Sequence, residues 1–123
     1  MDKYFEFLGQ VSFKDMQKLF NSLDLILLPS IDEPFGITAA EGMACGKPSI
    51  VSEYSGVKDI IDNKNSIISN FNDFPINIIK LAKNKNLREK MGKLARKSVE
   101  QKLSSKYLTN EHIKLYKSLI TSK

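Results

Sequence analysis

Glu33 and Glu41 stand eight positions apart on either side of Gly36, in the stretch Pro29-Ser30-Ile31-Asp32-Glu33-Pro34-Phe35-Gly36-Ile37-Thr38-Ala39-Ala40-Glu41. The apolar run Leu25–Leu28 ahead of it suits a strand buried on both faces of a parallel sheet. The stretch then lies just past a strand's carboxyl end, where open α/β sheets bind ligands. A helix opening after Gly36 leaves the amides of Ile37 and Thr38 free to face an anion, and glycine lets the ligand approach the backbone closely. Glu41, four residues beyond Ile37, falls on the same helix face, about 6 Å further along the axis. A carboxylate so close to a phosphate repels it unless hydroxyl groups lie between and donate to the carboxylate. A vicinal diol, such as the two ribose hydroxyls, meets that requirement. Glu33 is placed to accept from hydroxyls at the ligand's other end. The expected ligand is sugar, phosphate and sugar in series. Taken singly, Glu33 also reads as a solvated turn residue and Glu41 as a surface helix residue.

Other chemistries lack their residues. The six glycines (9, 36, 42, 46, 56 and 92) form no Gly-x-Gly-x-x-Gly fingerprint, and there is no Walker lysine loop. No Asp-x-Asp pair is present to hold a divalent ion on a diphosphate, so metal-free handling of the leaving group is expected. One cysteine, Cys45, and one histidine, His112, exclude an internal disulfide and a histidine metal cluster. Cys45 reads as a small apolar packing residue, and His112 is given no role.

The elements that must position these residues alternate. Tyr4–Leu8 is β-prone and ends at Gly9. Phe13, Met16, Leu19, Phe20 and Leu23 recur at helical spacing behind a Ser12/Asp15 start. Strands are expected at Leu25–Leu28, Ser49–Ser52 and Ser66–Ser69, and short helices at 37–44 and 57–62. Gly42 inside the first of these helices costs about 1 kcal/mol against alanine, which points to close packing there. Three helices follow: one capped by Asn72 or Asp73, one capped by Asn86 with Glu89, and one from about Ser105 expected to bury Leu108, Ile113, Tyr116, Leu119 and Ile120. The fold class is α/β, a partial Rossmann-like doubly wound parallel sheet followed by C-terminal helices. Residues 1–70 form the candidate ligand-binding region, and residues 71–123 form the helical region of the same domain.

At 123 residues, 41% apolar and 27% charged, the chain is one globular domain. Its longest apolar run is too short to span a bilayer, and its acidic start is no signal peptide, so a cytoplasmic location is expected. The net charge of +5 is unevenly spread. Residues 1–62 hold five lysines against ten carboxylates, whereas residues 80–102 hold nine basic groups against Glu89 and Glu100. Such a stripe most simply faces water. Without interleaved aromatics it is no nucleic-acid surface, but a peripheral membrane contact stays open.

Phe7-Leu8-Gly9-Gln10-Val11, Leu27-Leu28-Pro29-Ser30, Glu33-Pro34-Phe35-Gly36-Ile37, Glu41-Gly42-Met43-Ala44-Cys45-Gly46-Lys47-Pro48 and Ser55-Gly56 together resemble the carboxy-terminal lobe of family 4 retaining glycosyltransferases, which have the GT-B fold. The Glu-x7-Glu spacing is that family's signature. The resemblance implies that Glu33, as the catalytic glutamate, and the Phe35-Gly36 backbone hold the donor sugar. The Ile37 and Thr38 amides would take the diphosphate, Glu41 the ribose, and the Val11 backbone the base. It implies a nucleotide-sugar donor, a glycan or lipid-linked acceptor, no cofactor and no metal. Gly42 departs from the family's usual alanine and is expected to widen the gap beside Glu41.

The resemblance also implies parts that 123 residues cannot hold. These are the acceptor lobe, the first two strands of the nucleotide lobe and their Arg/Lys pair, with Lys47 and Lys58 the nearest cations in sequence. By the family strand order, Tyr4–Leu8 and Leu25–Leu28 are not neighbours. The chain is therefore expected to be a donor-binding fragment, inactive alone and needing an N-terminal lobe or split partner chain. The alternative is a non-catalytic truncated remnant that binds a nucleotide or a protein.

Overall fold

Two apolar residues of opposite orientation in one short strand organise the molecule. In the computed structural model, which describes residues 3–121, the sheet has three parallel strands: β1 (Ile26–Leu28), β2 (Ser49–Ser52) and β3 (Ile67–Ser69). Their order is β1-β2-β3, with Leu27 opposite Ile50 and Val51 opposite Ile68. Successive side chains of a strand point to opposite faces. Val51 thus enters one core, with Ala39, Ala40, Met43, Val57, Ile60 and Ala95. Ile50 enters the other, with Phe74, Leu81 and Met91.

The helices that fill these faces are α1 (Phe13–Ser22), α2 (Ile37–Ala44), α3 (Phe74–Ala82), α4 (Lys85–Lys102) and α5 (Ser105–Thr121). The α2 helix lies on the Val51 side and α3 on the Ile50 side. The α4 helix joins the two, placing Met91 in one core and Ala95 in the other. Gly92 makes this approach possible, since a Cβ there would sit 2.0 Å from the Gly46 carbonyl oxygen. Arg88 fixes the α3–α4 corner. Its guanidinium donates to the Leu81 and Ala82 carbonyls, both at 2.7 Å, and reaches Asp24 at 3.1 Å.

Several expected details differ. Tyr4–Leu8 forms no strand; it is exposed coil, and no neighbouring strand lies beside it among the described residues. A strand exists only as one of a pair, so β-propensity alone leaves those backbone groups to water. The outer edge of β1 is open. The Ser12 hydroxyl donates to the Asp15 carboxylate at 2.6 Å and caps no backbone amide. Residues 56–60 form a 3₁₀ turn (Gly56–Ile60) where an α-helix over 57–62 is expected. Asn70 accepts from the Asp73 amide in the 3₁₀ turn leading into α3. Asn84, two residues before the expected cap, accepts from Leu87 at the start of α4.

The largest difference is in α5, which buries none of its residues. Leu108, Ile113, Tyr116, Leu119 and Ile120 are 38%, 44%, 58%, 59% and 75% exposed. Its apolar spacing is that of a packed helix, but it packs only weakly, against α4, and its apolar side chains stay exposed. His112 lies on it, exposed, with Nδ1 2.7 Å from the Leu108 carbonyl. No helix of the described residues is long and apolar enough to cross a membrane.

Candidate functional site

The start of α2 is held open from behind. Gly36, its first flanking residue, has φ 99° and ψ 53°, a left-handed conformation that a side chain disfavours. A Cβ there would lie 2.8 Å from Ser55 Oγ and 2.9 Å from Leu28 Cδ2, so space and backbone both demand glycine. The Gly36 carbonyl accepts from Ala39 and Ala40, and no side chain caps the helix. The amides of Ile37 and Thr38 have no protein acceptor among the described residues. Ile37 is 66% exposed. These free donors stand at the positive end of the helix dipole, where negative charge is favoured.

Glu33 is placed by its backbone. It pairs in a parallel bridge with Ser55, and its carbonyl accepts from the Gly56 amide at 3.1 Å. Phe35 is fixed in the same way, its carbonyl accepting from Ser55 Oγ at 3.1 Å and from the Val57 amide. The half-buried Glu33 carboxylate turns toward the helix tip, with Oε1 3.4 Å from the Phe35 amide. Gly56 allows the two loops to touch, since a Cβ there would meet the Pro34 carbonyl at 2.1 Å. Backbone pairing therefore sets the position of Glu33, and its side chain keeps most of its acceptor capacity.

Glu41 lies one turn into α2, half-buried and without a hydrogen-bond or ion partner among the described residues. It lines a cleft of about 500 Å³ with Phe13, Lys14, Met16, Gln17, Phe20, Ala44, Cys45 and Arg96. Neither Glu33 nor Gly36 is in that lining. The two carboxylates thus have different surroundings: Glu33 the Phe35 amide ahead of α2, Glu41 the groove against α1. Val11 is half-buried two residues ahead of Phe13, at the entry to α1.

Lys14, Gln17 and Arg96 are residues of the Glu41 cleft that the sequence reading does not single out. The one signal available is the three-residue spacing of Lys14 and Gln17, which puts both on one face of α1. Arg96 is eleven residues past Lys85 in a helix whose docking no local pattern reveals, and it also pairs with Glu100 at 2.8 Å. The cations nearest in sequence are used elsewhere. Lys47 donates to the Asn21 carbonyl at 2.9 Å and Lys58 to the Glu53 carbonyl at 2.8 Å.

Gly42 does not widen the space beside Glu41. It faces β1, where a Cβ would fall 2.4 Å from Ile26 Cγ1. The close-packing reading of this glycine holds, and Ile26 occupies the space that a methyl would need. Cys45 is half-buried on the cleft wall. No group of three potential metal ligands assembles among the described residues.

The family model for glycosyl transferases group 1 matches residues 2–98. The chain belongs to that family. An uncharacterized glycosyltransferase of Methanocaldococcus jannaschii is 34% identical over 115 residues, covering 90% of this chain and 30% of its own length. Among solved structures, sucrose-phosphate synthase from Thermosynechococcus elongatus superposes with a TM-score of 0.82 at 24% identity, over 96% of this chain and 31% of that one. Anabaena HepE, solved in complex with UDP and glucose, gives 0.78 at 22% identity, over 92% of this chain and 32% of its own. The fold is therefore part of a GT-B glycosyltransferase domain, and the chain spans about 30% of the relative's length.

Proposed function

We propose that the chain is the donor-binding portion of a retaining glycosyltransferase that moves a sugar from a nucleotide-diphosphate sugar to a glycan or lipid-linked acceptor. The observation that carries this reading is the uncapped tip of α2, with free Ile37 and Thr38 amides between Glu33 and Glu41. The diphosphate sits on the two amides. The Glu41 carboxylate accepts from the ribose hydroxyls, and Glu33 with the Phe35-Gly36 backbone accepts from and positions the sugar hydroxyls. The base lies toward Val11. In HepE the bound molecules are UDP and glucose, which supports this ligand class.

Transfer proceeds on one face of the sugar. The anomeric carbon–phosphate oxygen bond breaks as the acceptor oxygen bonds to the same carbon, and the departing phosphate oxygen takes the acceptor's proton. No side chain has to be a strong base, and no metal is required. Glu33 stabilises the donor sugar as positive charge develops on its ring.

The chain alone lacks a second wall for this site. Its accessible surface is 9217 Å², against about 6,700 Å² for a compact monomer of this mass. The surplus includes the open edge of β1 and the bare face of α5, and it favours an N-terminal lobe or split partner chain as the complement. It equally suits the second reading, a nucleotide- or protein-binding module without turnover. The location proposed for either is cytoplasmic.

Calorimetric titration of nucleotide-diphosphate sugars into the chain, with and without the complementary lobe, tests the proposal. Binding that Glu41→Ala weakens, with sugar transfer only when the lobe is added, is the expected result. Binding without transfer in the presence of the lobe selects the module. No binding under either condition rejects the donor site.

A further inference from the structure

The basic segment 80–102 is not absorbed by the site. Arg88 is folded into the α3–α4 corner, Lys85 pairs with Glu89 at 3.8 Å and Arg96 with Glu100 at 2.8 Å. These contacts engage the two carboxylates of the segment. Lys80, Lys83, Lys90, Lys93, Lys97 and Lys102 remain, exposed and without ion partners among the described residues, and of these Lys90, Lys93 and Lys97 lie along the middle of α4. Their spacing of three and four residues sets them in one row on the outer side of α4, opposite Met91, Gly92 and Ala95. On the adjoining α3, Phe74, Ile78 and Leu81 face the core, which turns Ile76, Ile79, Lys80 and Lys83 outward together. Ile76 and Ile79 are 66% and 52% exposed.

We infer that the outer faces of α3 and α4 dock on an anionic lipid bilayer. A row of uncompensated lysines is attracted by the negative surface potential of acidic lipids. Branched apolar side chains standing between lysines suit the boundary between headgroups and acyl chains. A nucleic-acid backbone would use the lysines but has no place for the isoleucines, and the row offers no aromatic ring for bases to stack on. Residues 1–62, with ten carboxylates against five lysines, carry the opposite sign to this segment. An anionic surface attracts the α3–α4 lysines. The inference stands apart from the donor site, since it uses none of its residues.

Vesicle co-sedimentation of the 123-residue chain tests it, with phosphatidylcholine alone and with added phosphatidylglycerol. Binding is expected only to the anionic vesicles and should fall steeply with salt. Lys90→Gln, Lys93→Gln and Lys97→Gln combined should lower the affinity by about a hundredfold, at about fivefold per lost lysine. Ile76→Ser with Ile79→Ser should lower it severalfold. Both variants lie on exposed positions, and an unchanged melting midpoint verifies that they fold. Glu41→Gln should bind vesicles like the wild type even where it loses nucleotide sugars, which separates this face from the donor site. Absence of anionic-vesicle binding, or undiminished binding by either surface variant, overturns the inference. So does tighter binding to a duplex oligonucleotide than to the vesicles at equal ionic strength.

Discussion

The backbone of Glu33 is bridged to that of Ser55, and the Ser55 hydroxyl donates to the carbonyl of Phe35, two residues further along the same loop. The loop after β2 thereby sets the loop after β1, including the glutamate assigned to the donor sugar. Ser55 positions the groups proposed to meet the donor sugar. Ser55→Ala should cost about 1 kcal/mol of stability, the net worth of one hydrogen bond. In a reconstituted enzyme it should lower turnover more than donor affinity. Equal turnover with a shifted melting curve would restrict Ser55 to stability.

Gly36→Ala meets two obstacles at once. Its φ of 99° disfavours a side chain, and the new methyl would press on Ser55 Oγ and Leu28. A loss of about 2 kcal/mol or more in denaturant unfolding is expected, together with loss of nucleotide-sugar binding as the helix tip moves. A variant as stable as the wild type would remove the requirement for the left-handed turn.

Glu41 has no hydrogen-bond or ion partner among the described residues and is half-buried, so its loss should leave stability within about 0.5 kcal/mol. Donor affinity should fall about tenfold or more in Glu41→Ala, as for a lost hydrogen bond to a charged group. Glu33→Ala should depress turnover more strongly than it weakens binding. If calorimetry and transfer assays found both variants equal to the wild type, the two glutamates would be excluded from the site.

Gly42 and Ile26 form a packed pair whose coupling can be measured. Gly42→Ala gains about 1 kcal/mol of helix propensity, but its methyl would lie 2.4 Å from Ile26 Cγ1. The single substitution should therefore destabilise. In an Ile26→Ala background, itself costing about 2–5 kcal/mol, the same methyl fills space and should stabilise. A double-mutant cycle with no sign change would break the pairing.

Arg88 holds three acceptors from one guanidinium that is only 14% exposed. Arg88→Met should cost about 1–3 kcal/mol in thermal or denaturant unfolding, and Arg88→Lys should rescue little, since an ammonium lacks the planar fork. Asp24→Ala should cost under about 1 kcal/mol, because that carboxylate is 82% exposed. The opposite ranking would show that the ion pair outweighs the helix-end contacts.

Much of the site was legible because its determinants are local. An apolar run closed by Pro29, a glycine at a helix start and two glutamates at fixed spacing all act within one turn of backbone. That is enough to place β1 and α2 at nearly their observed bounds. Tyr4–Leu8 and α5 were misread for a shared reason. Each carries the pattern of a packed element, but pattern states which face wants burial, and only a neighbour provides it. The caps at Asn70 and Asn84 were missed by a few residues because several Asn and Asp side chains compete for each helix start.

The sequence by itself determined the family, the three parallel strands and the uncapped glycine-led helix between two carboxylates, because short-range spacing and backbone conformation dictate them. Only the tertiary structure decided that Ser55 holds Glu33, that Glu41 faces α1 and Arg96, that Gly42 fits against Ile26, and that Lys47 and Lys58 are occupied elsewhere. Those contacts join residues distant along the chain. Their geometry depends on how the layers close on Ile50 and Val51, which no local spacing encodes.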